Sequence, residues 1–246
     1  MHGILFDHAR NARIGLPEAV FCEGKSFDAL LSLLEGPGLD PEKPILFTRL
    51  APEVFQAVPE QIRSRYQYHA LARTAFAATL PERLPTLITR EAAATVNAEN
   101  TGCSGKAEGT GCTGKVAVVS AGTADGPVTW EAAKTLEYLG IRHSVYEDNG
   151  VAGLWRLTSN LEQLAAYDVL IVVAGLDAAL ASVLGGLTPR PIFAVPTSVG
   201  YGLARRGETA LASMLVSCAP GVSVLNIDNG YGAACAAARV MNLLCR

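Results

Sequence analysis

The sequence predicts an α/β protein, a doubly wound parallel sheet of about five strands preceded by a small N-terminal α+β domain, on three observations. From Val116 onward, uninterrupted apolar runs alternate with amphipathic helical stretches; a Gly-, Ser- and Thr-rich segment precedes that alternation; and each apolar run is followed by small and polar residues. Continuous apolar strands joined by helices mark a parallel sheet covered on both faces. Right-handed crossovers make it doubly wound, with ligands at the carboxyl ends of its strands.

Taken in order, residues 1–96 are rich in Pro and Arg, with apolar runs over 19–22 and 45–48 and helical patterns over 27–34 and 53–58, which reads as the small α+β domain. Residues 97–115 carry the near repeat TGCSGK and TGCTGK and read as a flexible linker. Its Cys103 and Cys112, with no histidine near them in sequence, do not complete a zinc site. In residues 116–246 the pattern predicts strands over 116–121, 142–146, 169–174, 192–195 and 222–227. Helices are predicted over 129–139, 151–166, 178–184, 208–216 and 232–244. Gly185-Gly186 falls in helix-breaking sequence and reads as a place of close helix packing.

A chain of 246 residues buries about 70–75 % of its unfolded surface, so a substantial core is available. Twenty basic against 23 acidic residues, net charge −3, with no long basic run, exclude a nucleic-acid footprint and point to a small-molecule partner. No stretch has the apolar length of a membrane span, and the start MHGILFD lacks the pattern of a signal peptide, so a cytoplasmic protein is expected. Six cysteines at this length are too sparse for a disulfide framework.

The strand exits hold the candidate binding residues: Ser120, Gly122, Thr123 and Asp125 after the first; Asp148 and Gly150 after the second; Gly175 and Asp177 after the third. Ser198, Gly200, Tyr201 and Gly202 follow the fourth, and Asn226 and Asp228 close the fifth. Glycines let backbone approach a ligand and helix starts attract phosphate, so the first and fourth loops read as anion cradles. Turns and caps use the same residue types and account for about half of them. Five such loops in succession exceed that need. No Walker, GxGxxG or GxSxG pattern is present.

Cys218, in SCAPG between a helical pattern and the last strand, is the candidate nucleophile. Free cysteines are most often small buried hydrophobes, which is the reading for Cys22, Cys235 and Cys245. His2, His8, His69 and His143 fall in no motif, and the single basic residues Lys25 and Arg49 are candidates for contact with a substrate phosphate, with solvated surface the reading favoured over it.

SAGTADGPVTWEAA (120–133) and AGLDAALASVLGGL (174–187) resemble the phosphate-binding and second glycine-rich stretches of the PurE-type carboxylases and mutases. Together with LPEAVFCEGK (16–25), DNGVAGLWRL (148–157), PTSVGYG (196–202) and SCAPGVSVLNIDNGYGAA (217–234), the chain resembles the LarB family over nearly its whole length. That resemblance implies a flavodoxin-like, PurE-like sheet and a carboxylase with phosphoanhydride hydrolase activity. It would convert nicotinic acid adenine dinucleotide and CO2 or bicarbonate to pyridinium-3,5-biscarboxylic acid mononucleotide and AMP, the first step of nickel-pincer nucleotide synthesis. It implies Cys218 as the nucleophile and Asp177 in the place of an acidic residue that is usually Glu; Trp155 stands where relatives carry His. It also implies a homo-oligomer, an octamer as in PurE-like proteins.

The chemistry asks for such a residue. A nucleophile that activates a pyridinium ring must also leave it, and cysteine meets both demands better than serine. Mg²⁺ is expected to accompany the substrate's phosphates, with no dedicated cage and no tightly bound organic cofactor. Two other readings are a PurE-type aminoimidazole ribonucleotide carboxylase or mutase and a non-catalytic nucleotide-binding module. The first uses a histidine near the second glycine-rich stretch, and residues 175–187 contain none.

Overall fold

The computed structural model describes residues 7, 10–40, 45–78, 86–88 and 114–244. Cys103, Cys112, Cys245, His2 and His8, and most of the expected linker, lie outside them.

The N-terminal domain contains α1 (Arg10–Ile14), β1 (Ala19–Phe21), α2 (Phe27–Glu35), β2 (Leu46–Thr48), α3 (Pro52–Ala57), α4 (Glu60–Arg63), β3 (Tyr66–His69) and β4 (Thr74–Ala77). Its mixed sheet has the order β1-β2-β4-β3, with β1 and β2 parallel and β3 and β4 an antiparallel hairpin. Ser26 caps α2 by accepting from the Ala29 N–H at 3.3 Å. The spacing of Leu30, Leu33 and Leu34 then puts one apolar stripe against Phe47, Phe55 and Tyr66. The hairpin lies outside the elements expected from the sequence; its Tyr66 and Tyr68 phenols donate inward, to the Leu34 and Leu50 carbonyls.

The larger sheet consists of β5 (Thr86–Ile88), β6 (Lys115–Ser120), β7 (Arg142–Tyr146), β8 (Val169–Ala174), β9 (Ile192–Pro196) and β10 (Val222–Val224). All neighbours are parallel, in the order β10-β9-β8-β6-β7-β5. Five of these strands follow the sequence pattern; β5, from before the Gly-rich segment, adds a sixth at the edge. The helices are α5 (Gly126–Tyr138), α6 (Leu154–Thr158), α7 (Leu161–Leu164), α8 (Ala179–Leu187), α9 (Glu208–Leu215) and α10 (Gly230–Leu244).

The chain goes from β6 outward to β7, then returns past β6 to β8, so strand order reverses between β6 and β8. That reversal opens a crevice at the strand ends. Every residue of β8 is buried, because helices cover both of its faces. One face packs with Leu157, Leu164, Leu180, Leu184 and Met214, the other with Val128, Leu136, Ala233, Ala237 and Met241. Each such Leu or Val contributes about 1.5–3 kcal/mol by leaving water. A methyl at Gly230 would sit 2.4 Å from the Val128 carbonyl, so α10 approaches α5 more closely than any side chain allows.

Three departures from the expected elements have local causes. The helix over 151–166 is two short helices, because the Asn160 amide turns back to the Arg156 carbonyl at 3.2 Å and to Asn149 at 2.8 Å. The last strand stops at Val224, and Asn226 Oδ1 takes the Ile227 N–H at 2.9 Å instead of the ladder. Gly185 does not break α8: it seats the helix on Ala219, which an added Cβ would meet at 2.7 Å.

The domains meet through Leu46, Phe76 and Tyr138, and through His69, whose ring stacks on Trp130 at 5.0 Å. Burial, then Lys134, lowers the His69 pKa, which favours the neutral ring in the stack.

Candidate functional site

A crevice of about 740 Å³ occupies the reversal point. Its walls are the loop after β6, with Gly122, Thr123 and Asp125; the loop after β7, with Asp148 and Gly150; and the loop after β8, with Gly175 and Asp177. The structure thus brings together seven of the residues expected from sequence.

Asp125 forms the floor. It is 3 % exposed, accepts from the Thr197 hydroxyl at 2.7 Å and closes its own turn by accepting from the Gly122 N–H at 2.9 Å. Burial pushes this carboxyl above the usual range, and three donors, Thr197 and the Gly122 and Gly175 N–H groups, oppose the shift without cancelling it. Gly175 lies over the pair, where a Cβ would come within 2.6 Å of both Thr197 Oγ1 and the Val199 carbonyl. Only glycine fits between those atoms.

Asp177 is exposed on the rim and its carboxylate accepts from the Ala179 N–H at 3.4 Å, at the amino end of α8. Asp148 pairs with Arg156 at 2.6 Å, and the same guanidinium donates to the Gly150 carbonyl at 3.4 Å. Arg156 therefore holds the β7 loop against the crevice. Leu176, Ala178 and Asp148 have φ of 54°, 54° and 60°. Left-handed backbone at such residues costs about 1–3 kcal/mol each and gathers where a site over-determines the chain.

A second, smaller cleft of about 180 Å³ lies between the domains. Ser198 and Asp228 line it from one side, Arg49 and Arg73 from the other, and Ala124 and Val199 are walls it shares with the crevice. The Ser198 N–H donates to Asp228 Oδ1 at 2.8 Å, and Arg49 donates to the Asp228 carbonyl. Arg49 also faces Glu131 at 3.7 Å and Glu23 at 3.6 Å. Burial pushes the Glu131 carboxyl up, and Arg49 opposes this. Arg49, read from sequence as solvated, is a linchpin between the domains.

The remaining expected residues stand apart from both spaces. Ser120 is buried beneath the crevice, where its carbonyl takes the Asn149 N–H at 2.9 Å. Gly200 packs the loop after β9, its Cβ position 2.5 Å from Ala204. Tyr201 points away, 88 % exposed, and Gly202 begins the following turn. Asn226 shapes the turn after β10. Cys218 is exposed in the turn leading into the edge strand β10, next to Ser217, whose hydroxyl lies 2.7 Å from that of Ser182 on α8. It does not line the crevice of its own chain. Thr197, Arg156, Glu131 and Arg73 escaped sequence reasoning: the first three lie inside motifs already noted but were not singled out there, and Arg73 is a single charge with no local pattern.

Among the described residues no three His, Cys, Asp or Glu side chains converge as metal ligands. Asp125 and Asp148 are already engaged by Thr197 and Arg156. Among the described residues these carboxylates do not converge into a dedicated Mg²⁺ seat. Nor is any described helix long and apolar enough to cross a membrane.

Comparison with known proteins bears on both domains. The family model of the LarB/PurE-like N-terminal domain matches residues 3–80, and that of AIR carboxylase matches residues 115–244. An uncharacterized protein of Methanocaldococcus jannaschii is 34 % identical over 233 residues, 92 % of this chain and 79 % of its own. The crystal structure of a Treponema denticola PurE2 variant is similar with a TM-score of 0.45 and 20 % identity, over 52 % of this chain and 80 % of that one.

Proposed function

The chain belongs to the AIR carboxylase family, with the LarB/PurE-like domain ahead of it, and from that premise we propose that it carboxylates nicotinic acid adenine dinucleotide at C5 of the pyridinium ring and hydrolyses its phosphoanhydride to release AMP. The observation that carries this reading is the chemistry of the crevice: Asp125, Asp148 and Asp177 line it, and neither described histidine does. Among the described residues, a histidine-based acid–base step, as in the PurE-type reaction, has no group there to perform it.

A pyridinium ring is electron-poor and does not attack CO2. In the proposed mechanism the Cys218 thiolate adds at C4, forming a C–S bond while a ring electron pair moves to nitrogen. The nitrogen then feeds C5 as an enamine carbon, and C5 bonds to CO2. Asp177 takes the C5 proton or orients the water that follows. The C–S bond breaks with its pair returning to sulfur, which restores aromaticity. Water then opens the anhydride, giving AMP and the dicarboxylated mononucleotide. No step is routed through a metal; Mg²⁺ enters this reading only as a companion of the substrate's phosphates.

Because Cys218 is outside the crevice of its own chain, the proposal has the thiol serve the crevice of a neighbouring copy in a cytoplasmic homo-oligomer, taken as an octamer. Leu215 and Val216, 65 % and 81 % exposed beside it, give that turn the apolar surface a subunit contact covers.

The test is incubation of the purified chain with the dinucleotide, Mg²⁺ and ¹³C-bicarbonate, with products read by mass spectrometry. Labelled dicarboxylated mononucleotide plus AMP from wild type, and neither from Cys218→Ala, is expected. Label incorporated equally by both removes the thiol from the mechanism, and no label from wild type removes the reaction.

A further inference from the structure

We propose that the interdomain cleft is the subsite for the leaving nucleotide half of the substrate, and that Arg73 is the cation that meets its phosphate. The inference rests on the reading of the substrate as a dinucleotide and assigns its two halves to two spaces.

The crevice and the cleft share Ala124 and Val199, so a molecule with two parts joined by a bridge can occupy both at once. The crevice, about 740 Å³, holds the reacting half; the cleft, about 180 Å³, accommodates a phosphate with part of its sugar. Charges inside the cleft are paired with one exception. Arg49 is held by Glu131, Glu23 and the Asp228 carbonyl, and one Asp228 oxygen by the Ser198 N–H. Arg73 lines the same space: its guanidinium lies within the field of Glu131 but forms no hydrogen bond or salt bridge among the described residues.

Arg73 is also fixed in place. It stands at the end of the β3–β4 turn with φ 51°, its N–H bonded to the Ala70 carbonyl at 3.3 Å and its carbonyl to the Leu50 N–H at 2.8 Å. A half-buried arginine with a fixed backbone, and with donors that no carboxylate takes up in a salt bridge among the described residues, is arranged for an anion from outside the chain. Ala124, Pro127 and Val128 bring the amino end of the thirteen-residue α5 to the same cleft, adding the positive end of a helix dipole. Asp228 supplies an acceptor for sugar hydroxyls, and the Ser198 side chain a donor. The N-terminal domain, on this assignment, is the part of the enzyme that recognises a dinucleotide as opposed to a mononucleotide.

Calorimetric titration of the full chain with AMP and, separately, with nicotinic acid mononucleotide tests the assignment. Wild type should bind both. Arg73→Gln should weaken AMP by about tenfold or more and leave the mononucleotide within about twofold, and Arg73→Lys should recover part of the loss. AMP affinity unchanged in Arg73→Gln, equal weakening of both ligands, or no AMP binding by wild type each overturns it. Should Arg73→Gln not fold, Ser198→Ala and Arg73→Lys carry the same comparison. Arg73-dependent AMP binding in a protein that does not carboxylate the dinucleotide would sink the proposed reaction while the subsite stands.

Discussion

Thr197 donates its hydroxyl to Asp125 across 2.7 Å, joining the loops after β9 and β6 at the floor of the crevice, with Thr197 fully buried. The bond spans 72 residues of sequence and opposes the rise in pKa that burial imposes on the carboxyl. Because burial raises the Asp125 pKa from its usual 3.8, the stability that depends on its proton is complete below that value and lost as pH rises through the folded pKa. The Thr197 bond favours the ionised form and recovers part of that loss.

Thr197→Val should therefore cost about 1.5–3 kcal/mol at pH 7, the range for a hydrogen bond to a charged group. The cost should shrink as pH falls through the raised folded pKa and be smallest at pH 3.8, the ordinary value, where the folded carboxyl is already protonated. Urea unfolding of both proteins at the two pH values measures this. A difference that is constant with pH would mean that the hydroxyl does not sense the Asp125 charge.

Cys218 is exposed, so Cys218→Ala should leave stability within about 0.5 kcal/mol while lowering carboxylation by about 10³-fold or more. If the thiol serves a neighbouring copy, refolding a mixture of Cys218→Ala and Asp125→Asn chains should restore activity that neither has alone. A mixed oligomer that stays inactive would assign the thiol to its own chain or to no chemistry.

Asp177→Asn should lower the rate by about 10²-fold with little change in substrate affinity, the behaviour of a group that moves a proton. Asp177→Glu should retain activity, since the rim position leaves space for one more methylene. Equal loss in both variants would point to a purely structural carboxylate.

Gly175→Ala forces a methyl to within 2.6 Å of Thr197 Oγ1 and should destabilise by about 1–3 kcal/mol while weakening substrate binding. Gly186→Ala, exposed in α8 with nothing within 4 Å of its Cβ, should instead stabilise by about 0.5–1 kcal/mol. Thermal melting of the pair separates a glycine needed for close approach from one that is not.

The parallel sheet was legible because β6, β8 and β9 are so deeply buried that their sequences contain almost nothing but apolar residues. The crevice loops were legible for the opposite reason: reversal of strand order concentrates Gly, Asp and Thr at one edge. What the sequence did not disclose depends on side chains meeting across long separations. Thr197 looks like any turn residue until Asp125 is placed under it, and Arg49 like any surface cation until Glu131 closes on it. The partition of strand-exit residues between two spaces was equally hidden, since Val199, between Ser198 and Gly200, becomes a dividing wall only in three dimensions.

The Arg49 contact to Asp228 also sets a timetable for biosynthesis. The two residues are 179 positions apart, which at about 5–20 residues per second is a wait of about 9–36 s on the ribosome. During that interval the N-terminal domain has its own core around Leu34, Phe47 and Phe55 to fold upon; Glu131 is synthesised partway through it, but Arg49 lacks Asp228 until its end. Docking of the domains is therefore the closing act of maturation. A chain released before residue 228 would carry a folded front half that has never formed the cleft.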